Sequence, residues 1–183
     1  MGKRLKPGEK FMKKLFVFFG FVFAFLSSIA AHAELAVGDT APNPVLTQVM
    51  PNGLDSRHET LRPSAAGEFV LLDFFSVTCG FCVRDLPKIA DFAREIAGRA
   101  TVRVVGVDRD EQRMRKFRNE NLANFPYDFA LDSSRAAMRA YGVTGTPTYF
   151  LVDPRGQIVF VQLGALNAND LDRIRDIIGA PRN

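Results

Sequence analysis

Residues 69–75, FVLLDFF, are apolar at every position but one. A strand with one solvated face alternates apolar and polar residues. A run this continuous marks a strand buried on both faces, and its sheet then needs helices on both sides. Residues 101–107, TVRVVGV, are a second run of the same kind. Between the two, Val83, Leu86, Ile89, Ala90, Ala93, Ile96 and Ala97 recur at helical spacing, with a stop at Gly98. Pro87 lies inside that helix and predicts a kink. Strand, helix and second strand together predict an α/β domain.

The flanks extend this core. Residues 38–44, GDTAPNP, form an irregular lead-in. VLTQV at 45–49 alternates as a strand does, Asn52 and Gly53 supply a turn, and a partner strand near 55–58 completes a hairpin. Downstream, the pattern predicts a charged helix over 111–121, a breaker at 124–126, and a short strand in YDFAL. A helix running to Tyr141 follows, capped by Ser133. TYFLV (148–152) and IVFVQL (158–163) flank DPRG, a strong hairpin signal. Asn167 or Asn169 caps a last helix that ends at Gly179. The expected architecture is a mixed central β-sheet flanked by helices on both faces, with an N-terminal β-hairpin extension.

The 183 residues have room for one domain and a tail. The net charge of +4 looks basic. However, six of the 24 Lys and Arg and one of the 20 Asp and Glu lie in residues 1–33, so the remaining 150 carry 18 and 19. The body is near neutral and offers no phosphate-binding face, which argues against nucleic acid as a partner. Residues 1–33 read as an export signal. Lys13 and Lys14 precede the apolar run LFVFFGFVFAFL (15–26), and AHAE then predicts cleavage after Ala33, leaving a domain over 34–183. Met12 opens a signal that is complete by itself and is an alternative start. The other reading of this segment is an uncleaved inner-membrane anchor, with residues 27–31 stretching the run toward the roughly 20 a span prefers.

Cys79 and Cys82 are the only cysteines. A pair at this spacing, taken alone, fits a metal clip, a structural staple or a redox couple. Outside the cytoplasm disulfides form and persist. A bridge across two residues closes a very short loop and removes little unfolded-state entropy, so it is a poor staple. A couple at the end of a buried strand and the start of a helix is well placed for exchange. There Cys79 meets unpaired backbone N–H groups and the positive end of the helix dipole, both of which favour its thiolate.

Four stretches, GDTAP, FVLLDFFSVTCGFC, VVGVDRD and YGVTGTPTYFLVDPRGQIV, together resemble the exported TlpA/ResA-like thiol–disulfide oxidoreductases of the thioredoxin fold. The resemblance spans roughly residues 37–178. It implies a redox disulfide between Cys79 and Cys82, with Cys79 as nucleophile and Cys82 as resolving thiol. It implies that Asp73, six residues before Cys79, accepts the Cys82 proton, burial raising its pKa. The simpler reading of Asp73 is a solvated strand-edge carboxylate or a partner of Arg84. Pro147 is implied to be a cis-proline facing the dithiol and crowding out metal ions. The Thr146 backbone beside it would pair with an extended substrate. Thr78, Gly80 and Phe81 are the remaining expected substrate contacts.

Thr78 stands where the family has tryptophan, Phe81 where thioredoxin has proline, and Thr148 where some cytochrome c maturation members have glutamate. The resemblance implies a disulfide-bearing protein substrate, a membrane thiol-reducing electron donor, no cofactor and a monomer. It implies a disulfide reductase, with a dithiol oxidase as the alternative. Among other rivals, a peroxiredoxin-like peroxidase needs a Ser or Thr three residues before its cysteine, met by Ser76, and a proline seven before, where Leu72 stands. A Sco-type copper chaperone needs a later histidine, and His58 precedes the pair. Zinc wants four N/S ligands, and beyond residue 33 only three exist counting His58.

Overall fold

A computed structural model describes residues 35–181 apart from 50–54, 64–66, 123 and 127. The export signal expected over 1–33 and the turn expected at Asn52–Gly53 lie outside the described residues. Seven strands, β1 (Val45–Val49), β2 (Asp55–Thr60), β3 (Phe69–Phe75), β4 (Ala100–Gly106), β5 (Asp128–Leu131), β6 (Thr148–Val152) and β7 (Ile158–Leu163), form one sheet. The order across it is β2-β1-β5-β4-β3-β6-β7. β3, β4 and β5 run parallel; the remaining neighbours pair antiparallel. The expected N-terminal hairpin is β1–β2, joined to the sheet through β5.

Among the described residues four helices cover the sheet: α1 (Gly80–Glu95), α2 (Glu111–Asn121), α3 (Ala136–Ala140) and α4 (Ala168–Ile178). The alternation of side chains along β3 divides the core. Leu71 and Phe75 pack with residues of α1, α2 and α4, among them Ile89, Phe92, Leu86, Met114 and Ile174. Val70, Leu72 and Phe74 face the other way, toward Ala137 and Tyr141 beside α3. Asp73 falls between Leu71 and Phe75 and so shares their side of the sheet, beneath α1. On the far side Phe74, Tyr141 and Phe150 pack as a trio with centroids 5.0–5.8 Å apart. The Tyr141 hydroxyl donates to the Pro42 carbonyl at 2.8 Å and so fastens the lead-in to the core.

Two glycines are required by geometry. Gly156 closes the DPRG turn at φ +81, with Arg62 packed over it. At Gly106 a Cβ would run into the Met114 side chain and sit 3.2 Å from the Phe129 ring.

The helix before Tyr141 starts differently from expectation. Arg135 is its N-cap, in the left-handed region at φ 57, with no side-chain cap bond. The Ser133 hydroxyl donates instead to Glu111 at 2.5 Å, and the Asp132 carboxylate accepts the Met138 N–H at 2.8 Å. Asn167, by contrast, does cap α4, in a reciprocal capping box with Asp170. α1 begins at Gly80, contains Pro87 and ends at Glu95, just before the predicted stop. Among the described residues no helix is long and apolar enough to cross a membrane.

Candidate active site

β3 delivers the chain to the C-terminal end of the parallel strands, and the next four residues turn it into α1. A hydrogen-bond network shapes that turn. The Asp108 carboxylate, just beyond β4, accepts from the Ser76 hydroxyl at 2.9 Å and from the Val77 N–H at 3.0 Å. The Ser76 hydroxyl oxygen accepts the Thr78 N–H at 3.1 Å and lies 2.8 Å from the Thr78 hydroxyl. The Ser76 carbonyl accepts the Cys79 N–H at 3.1 Å. Cys79 is thereby fixed as the N-cap of α1.

Cys79 and Cys82 are joined by a disulfide, their Cα atoms 5.3 Å apart. Their surroundings differ. Cys79 is half-buried, whereas Cys82 is 3 % exposed and packs with Phe75, Leu86 and Val104. The Cys82 N–H points at the Cys79 sulfur, 3.2 Å away. Once the bond is reduced, this N–H and the helix dipole act on a Cys79 thiolate, with no acidic residue in the first turn to oppose them.

Opposite the pair, the Thr146–Pro147 peptide is cis. The Thr146 carbonyl oxygen lies 3.2 Å from the Cys79 sulfur. A thiol there donates to it; the disulfide has no proton to give. The Pro147 carbonyl is already engaged by the Gly164 N–H at 2.9 Å. Thr78 and Gly80 are exposed, and Phe81 is 60 % exposed, the apolar rim of the site. The Arg84 guanidinium stands over the Phe81 ring, 4.7 Å from its centroid. Arg84 is therefore not the partner of Asp73.

Asp73 is 2 % exposed, and its Oδ1 has no hydrogen-bond partner among the described residues. Burial, and secondly the charge of Asp85, push its pKa up to about 7. Asp85 lies one turn beyond Cys82 on the covered face of α1 and is itself largely buried. Its carboxylate pairs with Lys88 at 3.2 Å.

Residues 36–178 match the Redoxin family. The chain belongs to that family. Among curated relatives it is 28% identical over 151 residues to the thiol-disulfide oxidoreductase ResA of Bacillus subtilis, covering 81% of this chain and 79% of the relative. It is also 28% identical over 141 residues to ResA of Geobacillus kaustophilus, covering 76% of each. Among solved structures it resembles one described as a thiol:disulfide interchange protein DsbE from Chlorobium tepidum. That match has a TM-score of 0.66 and 27% identity, and covers 79% of this chain and 97% of the other. The protein is thus a TlpA/ResA-like redoxin of the thioredoxin fold, and a thiol–disulfide oxidoreductase.

Within this redoxin site, the structure brings Cys79, Cys82, Thr146 and Pro147 together, with Asp73 beneath the same helix. Three side chains were missed by sequence reasoning. Asp108 sits in VVGVDRD, a stretch read only as a family anchor. Asp85 and Lys88 follow Cys82 at steps of three, the spacing of one helix face.

Proposed function

We propose that this redoxin is an exported disulfide reductase. The observation that supports it most is the asymmetry of the pair: Cys79 as the helix N-cap with an N–H aimed at its sulfur, Cys82 buried on the side of the sheet that also carries Asp73. In the reduced enzyme the Cys79 thiolate attacks one sulfur of a substrate disulfide. A mixed disulfide forms and the other substrate sulfur leaves as a thiolate. The Cys82 thiol gives its proton to the Asp73 carboxylate, and the Cys82 thiolate attacks the Cys79 sulfur. The second substrate sulfur departs, taking up a proton. Two electrons have passed to the substrate, and the enzyme is left as the Cys79–Cys82 disulfide. A membrane-bound dithiol donor then restores it by the same exchange in reverse.

An extended protein substrate lies along the Thr146 backbone, with Pro147 keeping metal ions from the sulfurs and Phe81, Gly80 and Thr78 forming the contact rim. The enzyme acts as a monomer. The export signal ends at Ala33, so the periplasmic protein begins at Glu34 and comprises residues 34–183. Intact-mass analysis of the exported protein tests this, and a mass that retains residues 15–28 would mean an anchored enzyme. No Lys, Arg or His stands between the cysteines. A single helix terminus gives the thiolate moderate stabilisation and so favours a reducing couple. Equilibration with glutathione tests the direction. The expected potential is nearer thioredoxin's, about −270 mV, than the roughly −120 mV of a strong oxidant; a value above about −150 mV makes the protein an oxidase.

A further inference from the structure

Asp73 and Asp85 place two carboxylates in one apolar layer between β3 and α1. The described neighbours from β4, β6 and α1 are largely apolar. β4 contributes Val102 and Val104, β6 contributes Leu151 and the phenol of Tyr149, and α1 contributes Cys82, Leu86 and Ile89. The Arg103–Asp128 pair belongs to the other side of β4, by the alternation along that strand. Among the described residues the cation paired with Asp85 is Lys88. Its ammonium lies 3.2 Å from Asp85 Oδ2 and donates at 2.5 Å to the Leu166 carbonyl, in the loop that leads into α4. The other charges around the α1–α4 groove are engaged elsewhere. Arg94 pairs with Asp91, Arg175 pairs with Glu95 and Asp172, and Asp170 is spent in the capping box.

We propose that Lys88 is a positioning residue for proton transfer: tied to the Leu166 carbonyl, it holds the Asp85 carboxylate on the buried face of α1 and so sets the pH at which Asp73 gives up its proton. Lys88 is 39 % exposed, so it links this buried pair to water along the side of α1. The proposal deepens the proton-acceptor role given to Asp73 and rests on it for its catalytic meaning.

The sign follows from charge alone. Removing the cation from beside Asp85 leaves that negative charge uncompensated, which makes the ionised state of Asp73 harder to reach. Carboxyl-carbon NMR titration of the full domain in its disulfide form reads this directly, because no thiol titrates there. Asp73→Asn and Asp85→Asn assign the signals. Lys88→Met is expected to move the ionisation of Asp73 upward by about half a pH unit, roughly a threefold change in proton affinity. Lys88→Arg is expected to keep it. An Asp73 ionisation that stays put or falls in Lys88→Met overturns the proposal, and a change in melting temperature without that shift makes Lys88 merely structural. The pH dependence of disulfide exchange is measured in parallel. If the NMR midpoint moves while the rate profile stays flat in every variant, the positioning stands and the base role of Asp73 fails.

Discussion

Asp73→Asn is expected to make the protein more stable, and by an amount that depends on pH. The carboxyl is buried without a partner for Oδ1, and its pKa is raised from 3.8 to about 7. In the unfolded chain it ionises from about pH 4 upward, while in the folded chain it keeps its proton until about pH 7. Across that window the unfolded state binds fewer protons than the native state, so stability falls as pH rises. Above it both states are ionised and the loss stays constant. At about 1.4 kcal/mol for each tenfold change in proton affinity, the full loss is about 4 kcal/mol. Relaxation around the charge and water entry bring a working range of about 2 to 4 kcal/mol. The amide of asparagine fits the same space and carries no proton to lose. Urea unfolding of the disulfide form, followed by circular dichroism from about pH 4 to about pH 8, measures the difference. The variant should match or trail the wild type at the acid end and exceed it at the alkaline end. A gap that is constant with pH, or that widens toward acid, would refute the idea that Asp73 is held protonated.

Limiting alkylation of the reduced protein should label Cys79 first, and Cys82→Ser should accumulate mixed disulfides through Cys79; faster labelling of Cys82 reverses the assignment. Gly106→Ala should cost about 1 to 3 kcal/mol in urea unfolding, because the new methyl meets the Met114 side chain and the Phe129 ring. Tyr141→Phe should cost about 1 kcal/mol, through loss of its bond to the Pro42 carbonyl, with the ring packing retained. A Tyr141→Phe melt indistinguishable from wild type would mean that the lead-in is held by its other contacts.

The central strands were legible because burial on both faces leaves a continuous apolar run, and no other element writes that pattern. FVLLDFF marked β3 to the residue. The long helices were legible from their periodicity, but the last cap was narrowed only to Asn167 or Asn169, each with an aspartate three residues on; in the structure it is Asn167, boxed with Asp170. Ser133 failed as a cap because its competitor was distant. Glu111, across the fold, takes the hydroxyl that a local reading assigned to the helix. Asp73 was visible as the single charge in an apolar strand. Asp108 was not, since nothing in sequence links it to Ser76 and Val77, some thirty residues earlier; only the parallel pairing of β3 and β4 brings their ends together.

Asp85 escaped for a different reason. The helix was read by tracking apolar positions, and a charge on the covered face is skipped by any such count. Its spacing still carried the signal: residues three apart share a face, so a buried Cys82 draws Asp85 toward the same layer. A lone carboxylate there would be expelled or neutralised unless a cation could reach it, and three residues further on stands Lys88. The triplet Cys82, Asp85 and Lys88 runs along one helix from the buried thiol to solvent. An apolar residue at position 85 would pack α1 at less electrostatic cost and would lower the proton affinity of Asp73. Keeping a carboxylate there strengthens the hold of Asp73 on a proton, on the same side of the sheet as Cys82, the thiol that must lose one for exchange to proceed. That coupling gives the second buried acid a chemical reason to stand where packing alone would not put it.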